Sequence, residues 1–101
     1  MTIQTHYDAK SATFTLRVGE RLDFKCQREF RLAYEEANVQ PRQVVVDLSA
    51  TRFIDSSGLG MLLLLREFFG ADQSNIRLSG VSDEVGSLLD VANFGKLFKI
   101  H

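Results

Sequence analysis

The segment Gln43 to Leu48, with the unbroken run Val44-Val45-Val46 at its centre, most constrains how this chain can fold. Segments of helical periodicity lie on both sides of it, and further strand patterns lie beyond those segments. A run without polar alternation is typical of a strand that is covered on both faces of its sheet. We therefore expect this strand at the centre of a sheet, joined to its neighbours through helices.

Strand and helix patterns alternate along the rest of the chain. The predicted elements are, in order, strand Thr2 to Asp8, strand Ala12 to Val18, helix Phe24 to Ala37, strand Gln43 to Leu48, helix Ser57 to Phe69, strand Asn75 to Val81, helix Asp83 to Ala92 and a short edge strand in the tail FGKLFKIH. Only three residues separate the first two strands, which predicts an antiparallel hairpin. The alternation predicts right-handed crossovers and a mainly parallel sheet. The expected fold is one small α/β domain over residues 1 to 101, with an N-terminal β-hairpin and helices packed on a mixed sheet.

Composition limits the setting in which this domain works. The 101 residues allow a single hydrophobic core. Twelve basic and 13 acidic residues give a net charge of -1 without a long block of either sign, which argues against nucleic acid or an anionic membrane as partner. A single cysteine, the absence of a signal-peptide pattern and apolar runs far below the ~20 residues of a membrane span predict a cytoplasmic protein.

The chain carries none of the common patterns of an enzyme or a metal site. It has no GxxxxGK[ST] loop and no GxSxG elbow, so neither nucleotide hydrolysis nor serine hydrolysis is supported. His6 and His101 lack neighbours at metal-ligand spacing, and Cys26 lies on an apolar helix stripe where core packing is expected. We therefore expect no enzymatic activity, no cofactor and no metal.

The turn RFIDSSGLG, which leads into the second helix, is the candidate site. Its polar residues have a purely structural interpretation, in which Asp55 or Ser56 caps the helix and nothing more happens. A single cap does not require three consecutive polar residues followed by Gly58 and Gly60, however, and each glycine costs the helix roughly 1 kcal/mol relative to alanine. Two such glycines indicate that something approaches this backbone closely.

The second helix also has more apolar residues than one face of a sheet can cover. They occupy nearly every direction around the helix, and Arg66 and Glu67 are its only charges. We expect part of this surplus to form an exposed patch that contacts a partner, involving some of Met61, Leu62, Leu64, Leu65 and Phe68. The alternative is that the third helix and the tail cover it.

The stretch VVVDLSATRFIDSSGLGMLLLL resembles the signature of the STAS-domain anti-sigma factor antagonists. That family carries a hydrophobic strand, a loop ending in Asp-Ser-Ser-Gly-Leu-Gly and then an apolar helix, and the six-residue motif is matched in full at Asp55 to Gly60. RLDF, before the first helix, resembles the family's Asp-containing loop, and LLDVANFGKLFKI resembles its closing helix and turn. The resemblance covers nearly the whole chain.

This resemblance implies a regulator that is switched by phosphorylation. The phosphate acceptor falls on Ser57, and the enzyme that modifies it is an ATP-dependent serine kinase, itself the anti-sigma factor or a relative of it. A metal-dependent serine phosphatase reverses the reaction. The unphosphorylated form binds the kinase-like partner and releases the factor that this partner holds. The implied motif and partner-binding residues, besides the apolar ones above, are Asp23, Asp55, Ser56, Gly58, Leu59 and Gly60.

Two departures from the family pattern leave alternatives open. The family's Gly-Glu-Leu-Asp appears here as Gly-Glu-Arg-Leu-Asp at positions 19 to 23, so Asp23 either caps the first helix or contacts the partner. Many relatives continue past the position of His101, and a sheet edge left open there would invite a homodimer or a partner strand. The alternative function is a STAS subunit of a lipid or anion transport system. Such subunits commonly vary the two-serine motif, whereas this chain keeps both serines.

Overall fold

The computed structural model describes residues 3–70 and 75–101. The strands are β1 (Ile3–Asp8), β2 (Thr13–Val18), β3 (Arg21–Leu22), β4 (Gln43–Asp47), β5 (Phe53–Ile54), β6 (Ile76–Ser79) and β7 (Lys99–Ile100). The α-helices are α1 (Gln27–Glu35), α2 (Ser56–Phe68) and α3 (Asp83–Val91), with 3-10 turns at Phe24–Cys26 and Phe94–Lys96. The predicted first helix is therefore split into a 3-10 turn and α1, and the predicted first residue of β1, Thr2, lies outside the described residues.

Five strands form one mixed sheet in the order β1-β2-β4-β6-β7. The hairpin of β1 and β2 is antiparallel, with Ile3 opposite Val18, and every other pair in this sheet is parallel. This confirms the predicted α/β class, the N-terminal hairpin and the edge strand in the tail. The short strands β3 and β5 form a second, parallel pair that the sequence patterns did not predict.

The central strand β4 is covered on one face only, so the expectation of two covered faces is wrong. The buried side chains of the five-stranded sheet all lie on the face of Val44 and Val46: Ile3, Phe14, Leu16, Val18, Val44, Val46, Ile76 and Leu78. Val45 points to the other face and is half-buried between Thr15 and Arg77, its partners in register. Val45, the middle valine of the run, therefore packs beside polar strand neighbours instead of a second layer of helices.

Each helix contributes a buried stripe to the single core on that face. Phe30 and Tyr34 come from α1, and Val85 and Leu89 come from α3. The ring of Tyr34 lies 5.0 Å from that of Phe68, which joins the ends of α1 and α2 through aromatic contact. Within residues 3–70 and 75–101, none of the helices is long and apolar enough to cross a bilayer.

Helix α2 has a core side and a solvent side. Leu64 is 56% exposed and Phe68 is 51% exposed, as expected for part of the apolar surplus. Met61, Leu62 and Leu65 are at most 3% exposed, which corrects their expected role as partner contacts. These three side chains fill the core because they occupy the stripe of α2 that lies on the sheet and on α1.

Alanine substitutions on the two sides of α2 should have very different effects on stability. Leu62→Ala removes a fully buried side chain and should lower the free energy of unfolding by about 2–5 kcal/mol. Leu64→Ala, a matched change on the exposed side, should alter it by no more than about 0.5 kcal/mol. Urea denaturation of both variants measures the difference, and equal losses would show that the orientation of α2 is wrong.

Candidate functional site

Asp55 caps helix α2 and at the same time ties it to the loop after β3. Its backbone is extended, and its Oδ1 accepts a hydrogen bond of 2.8 Å from the amide of Gly58. Its Oδ2 accepts a longer bond of 3.4 Å from the amide of Phe24. A cap by Ser56, the alternative left open by the sequence, is wrong, because Asp55 occupies the N-cap position and makes the capping bond, and Ser56 is already the first helical residue.

The two serines occupy the first two positions of α2 and differ in exposure. Ser56 is exposed, whereas Ser57 is half-buried, so the two hydroxyls have different surroundings. The first amides of a helix lack intrahelical partners, and the helix dipole makes this end electropositive. The expectation that Ser57 lies at the start of the second helix is confirmed. Its role as phosphate acceptor stays a prediction.

The second, two-stranded sheet holds the β3 segment against the start of α2. The amides of Arg52 and Phe53 donate to the carbonyl of Glu20 at 2.8 Å and 3.2 Å, and the amide of Asp55 donates to that of Leu22 at 3.4 Å. Strands of two residues are too short to show a period, which is why sequence patterns missed them. Through this pairing, the predicted Asp-containing loop and the serine motif become neighbours.

The two glycines of the motif differ in the space that the domain leaves for a side chain. A Cβ at position 58 would lie 2.2 Å from the carbonyl oxygen of Leu22 and 2.8 Å from a methyl group of Ile54. Gly58 is therefore required by the domain itself, because the backbone of β3 packs directly on the first turn of α2. A Cβ at position 60 would meet nothing within 4 Å. The close approach inferred from the sequence is thus intramolecular at Gly58 and has no intramolecular cause at Gly60.

Asp23 caps the 3-10 turn that precedes α1, which confirms one of its two expected roles. It is buried, accepts a 3.1 Å hydrogen bond from the amide of Lys25 and forms an ion pair of 3.3 Å with Arg21. Burial alone would raise the pKa of Asp23, but the bonds from Arg21, Lys25 and the Cys26 thiol outweigh it and lower that pKa below its ordinary value. Contact of Asp23 with a partner stays a prediction.

Exposed apolar side chains lie on both structural units that meet at the serines. Phe24 and Phe53, which the sequence patterns did not single out, are 62% and 40% exposed. Phe24 follows the capping aspartate of the 3-10 turn, and Phe53 is in β5 with the guanidinium of Arg21 stacked 4.3 Å above its ring. Leu59, in the first turn of α2, is half-buried. Exposed apolar side chains therefore occur on α2, at Leu64, and on the segments joined to its first turn, at Phe24 and Phe53.

Residues 3–70 and 75–101 contain no group of three or more His, Cys, Asp or Glu side chains that could hold a metal ion. Cys26 is buried, and its thiol donates to the carbonyl of Arg21 at 3.3 Å. The start of α2 carries two serine hydroxyls and the carboxylate of Asp55.

The chain is similar in sequence to a family of known domains and to bacterial proteins. A family model described as "Mlab, STAS domain" matches residues 5–99. A STAS-domain containing protein of Pseudomonas aeruginosa (strain UCBPP-PA14) is 42% identical over 100 residues, which cover 99% of each chain. The anti-sigma F factor antagonist of Paenibacillus polymyxa is 27% identical over 104 residues, which cover all of this chain and 88% of that one.

Solved structures with the same fold include proteins of different function. A sulfate transporter family protein from Wolinella succinogenes aligns with a TM-score of 0.76 at 15% identity, covering 94% of this chain and 79% of that one. The Bacillus cell fate determinant SpoIIAA, solved in its phosphorylated form, aligns with a TM-score of 0.64 at 17% identity, covering 98% of this chain and 90% of that one. At these identities the likeness shows the fold alone.

Removing the cap of α2 should destabilise the domain, and removing the neighbouring hydroxyl should not. Asp55→Ala deletes the acceptor for the amides of Gly58 and Phe24 and should lower the free energy of unfolding by about 0.5–2 kcal/mol. Ser56→Ala should change it by no more than about 0.5 kcal/mol, because Ser56 is exposed and is not the cap. Thermal and urea unfolding of both variants test this, and a larger loss for Ser56→Ala would contradict the assignment.

The charge of Asp23 should contribute stability that depends on pH. Because its folded pKa is lowered, the contribution is fully present above the unfolded pKa of about 3.9 and is lost as pH falls through the folded value. Asp23→Asn retains a capping side chain but removes the charge, so wild type should be more stable at pH 7 and the difference should shrink below about pH 4. Urea denaturation across this range measures it, and a difference independent of pH would refute the charge argument.

Proposed function

This chain belongs to the STAS domain family, and on that premise we propose that it is an anti-sigma factor antagonist, a partner-switching regulator controlled by phosphorylation. In its unphosphorylated form it binds an anti-sigma factor that is also an ATP-dependent serine protein kinase, and so releases the factor which that protein holds. Phosphorylation of Ser57 ends the binding, and a metal-dependent serine phosphatase restores it. The protein acts as a binding module in the cytoplasm, where such partners work, and has no catalytic role of its own.

One observation carries this proposal: the second serine of a complete Asp-Ser-Ser-Gly-Leu-Gly motif lies at the second position of α2, a helix that also exposes Leu64 and Phe68. A phosphate on Ser57 would stand at the electropositive end of the helix, where free amides favour an anion. The modified protein should therefore stay folded. What the modification changes is the surface that a partner meets.

The electrostatics of the site explain why phosphate would prevent docking. Phosphorylation adds about -1.5 to -2 charges at neutral pH. These charges would stand in the same helix turn as the carboxylate of Asp55, which caps it, and on a helix that also exposes Leu64. Closing a water-excluding interface over them would remove their hydration without supplying a matching cation, which is costly. The unmodified hydroxyl carries no such penalty.

Two of the similar proteins support this assignment. The Paenibacillus polymyxa relative, which covers all of this chain, is named an anti-sigma F factor antagonist. SpoIIAA, a protein of the same fold, is known in a phosphorylated form. The sulfate transporter family protein favours the second candidate, a STAS subunit of a lipid or anion transport system. The two candidates differ in one testable respect, since only the first requires a kinase that labels Ser57.

A kinase reaction with site-directed variants tests the acceptor. The ATP-dependent serine kinases of the anti-sigma factor class from the native host are purified and incubated singly with the protein and radiolabelled ATP. We expect one of them to label wild type and Ser56→Ala but not Ser57→Ala, which should still fold and bind that kinase. Phosphopeptide mapping identifies the labelled residue. A label on Ser56 would overturn the assignment, and no label from any of these kinases would favour the transport subunit.

Negative charge at position 57 should abolish binding and preserve the fold. Ser57→Asp and Ser57→Glu should unfold as cooperatively as wild type, because an anion is tolerated at a helix N-terminus. Their affinity for the kinase that labels wild type should fall strongly, although one charge imitates a dianion imperfectly. Circular dichroism and isothermal titration calorimetry measure the two properties. An aspartate variant that binds as tightly as wild type would refute the electrostatic mechanism.

A further inference from the structure

Gly60 lies inside helix α2 at a position where the domain has room for a side chain. It is the fifth residue of the helix, and glycine inside a helix is less stable than alanine because it leaves more backbone freedom to lose on folding. The other glycine of the motif, Gly58, is explained by the carbonyl of Leu22, and Gly70 is explained by its left-handed backbone, with φ of +95°. Gly60 has neither reason, because a Cβ there would meet nothing within 4 Å.

The position of Gly60 on α2 relates it to the acceptor serine. Ser57, Gly60 and Leu64 are spaced at i, i+3 and i+7, so they follow one another along the same side of the helix. Leu64 is exposed, and Phe68, one further turn along, is exposed too. Gly60, which has no side chain, therefore leaves a depression in the helix surface between Ser57 and the exposed side chains of Leu64 and Phe68.

The proposed reaction at Ser57 indicates which partner would contact α2 at Gly60. A kinase that transfers a phosphoryl group to Ser57 must bring its own surface to that residue, and Gly60 lies only about 4.5 Å further along the helix axis. The continuing surface, formed by Leu64 and Phe68, is apolar. A segment of the kinase that covers Leu64 and Phe68 would cross α2 at Gly60. The absence of a side chain there allows the main chains of the two proteins to approach most closely.

We propose that Gly60 is the point of closest approach between this protein and its serine kinase, and that its missing side chain admits an apolar segment of the kinase across α2. This inference rests on the proposed function and adds to it a residue that selects the partner through shape. The glycine is kept at the expense of helix stability because the interface, and not the fold, requires it.

Gly60→Ala separates the two requirements. It should raise the melting temperature by about 4 °C or more, because the methyl group has open space within the domain. Its affinity for the kinase that labels wild type, measured by calorimetry without ATP, should fall at least about tenfold, since an added methyl overpacks a close contact. Gly86→Ala is the matched control: it lies inside α3, where a Cβ would make only an ordinary contact of 3.4 Å with Val81. It should raise the melting temperature similarly and leave kinase affinity unchanged.

Each other outcome has a definite meaning. If Gly60→Ala melts below wild type, the glycine serves the fold and the inference is wrong. If it is more stable but binds the kinase and is labelled as well as wild type, the kinase does not approach closely at Gly60, while the proposed function stands. If no kinase labels wild type, the proposed function fails and this inference fails with it.

Discussion

The start of helix α2 is held against the β3 segment by interactions in which Asp55 takes the central part. Its carboxylate accepts bonds from Gly58 within the helix and from Phe24 across the interface. The approach is so close that residue 58 has no room for a side chain beside the carbonyl of Leu22. The loop with Asp23 and the turn with the two serines, far apart in sequence, thereby become one surface. The candidate site exists only because this contact joins them.

The same helix end meets two opposing demands in the proposed switch. A helix N-terminus stabilises an anion, so phosphate at Ser57 is compatible with the folded domain. The same end carries the carboxylate of Asp55, so in the proposed switch the phosphate opposes a closed, water-excluding interface. One modification can therefore change binding without changing the fold. The proposed role of Gly60 is similar: the missing side chain favours binding of the kinase, whereas alanine at this position would favour helix stability.

Helix α2 also shows how a nearly uniform apolar sequence is divided by packing. From Leu59 to Leu65 the residues look interchangeable in sequence apart from one glycine. In the structure, Met61, Leu62 and Leu65 are buried, whereas Leu64 is exposed, because only one stripe of the helix lies on the sheet and α1. The sequence could show that the helix carried a surplus of apolar residues. It could not show which of them formed that surplus.

By itself, the sequence determined the order of the long elements, the N-terminal hairpin, the mainly parallel sheet and the place of Ser57 at a helix start. These follow from local periodicity and turn residues, which are properties of neighbouring positions. Only the tertiary structure decided that β4 is covered on one face, that Asp55 and not Ser56 is the cap, and that the amide of Phe24 is bonded to that cap. Each of these depends on which distant segments pack together, and in particular on two strands of two residues that are too short to leave a pattern in the sequence.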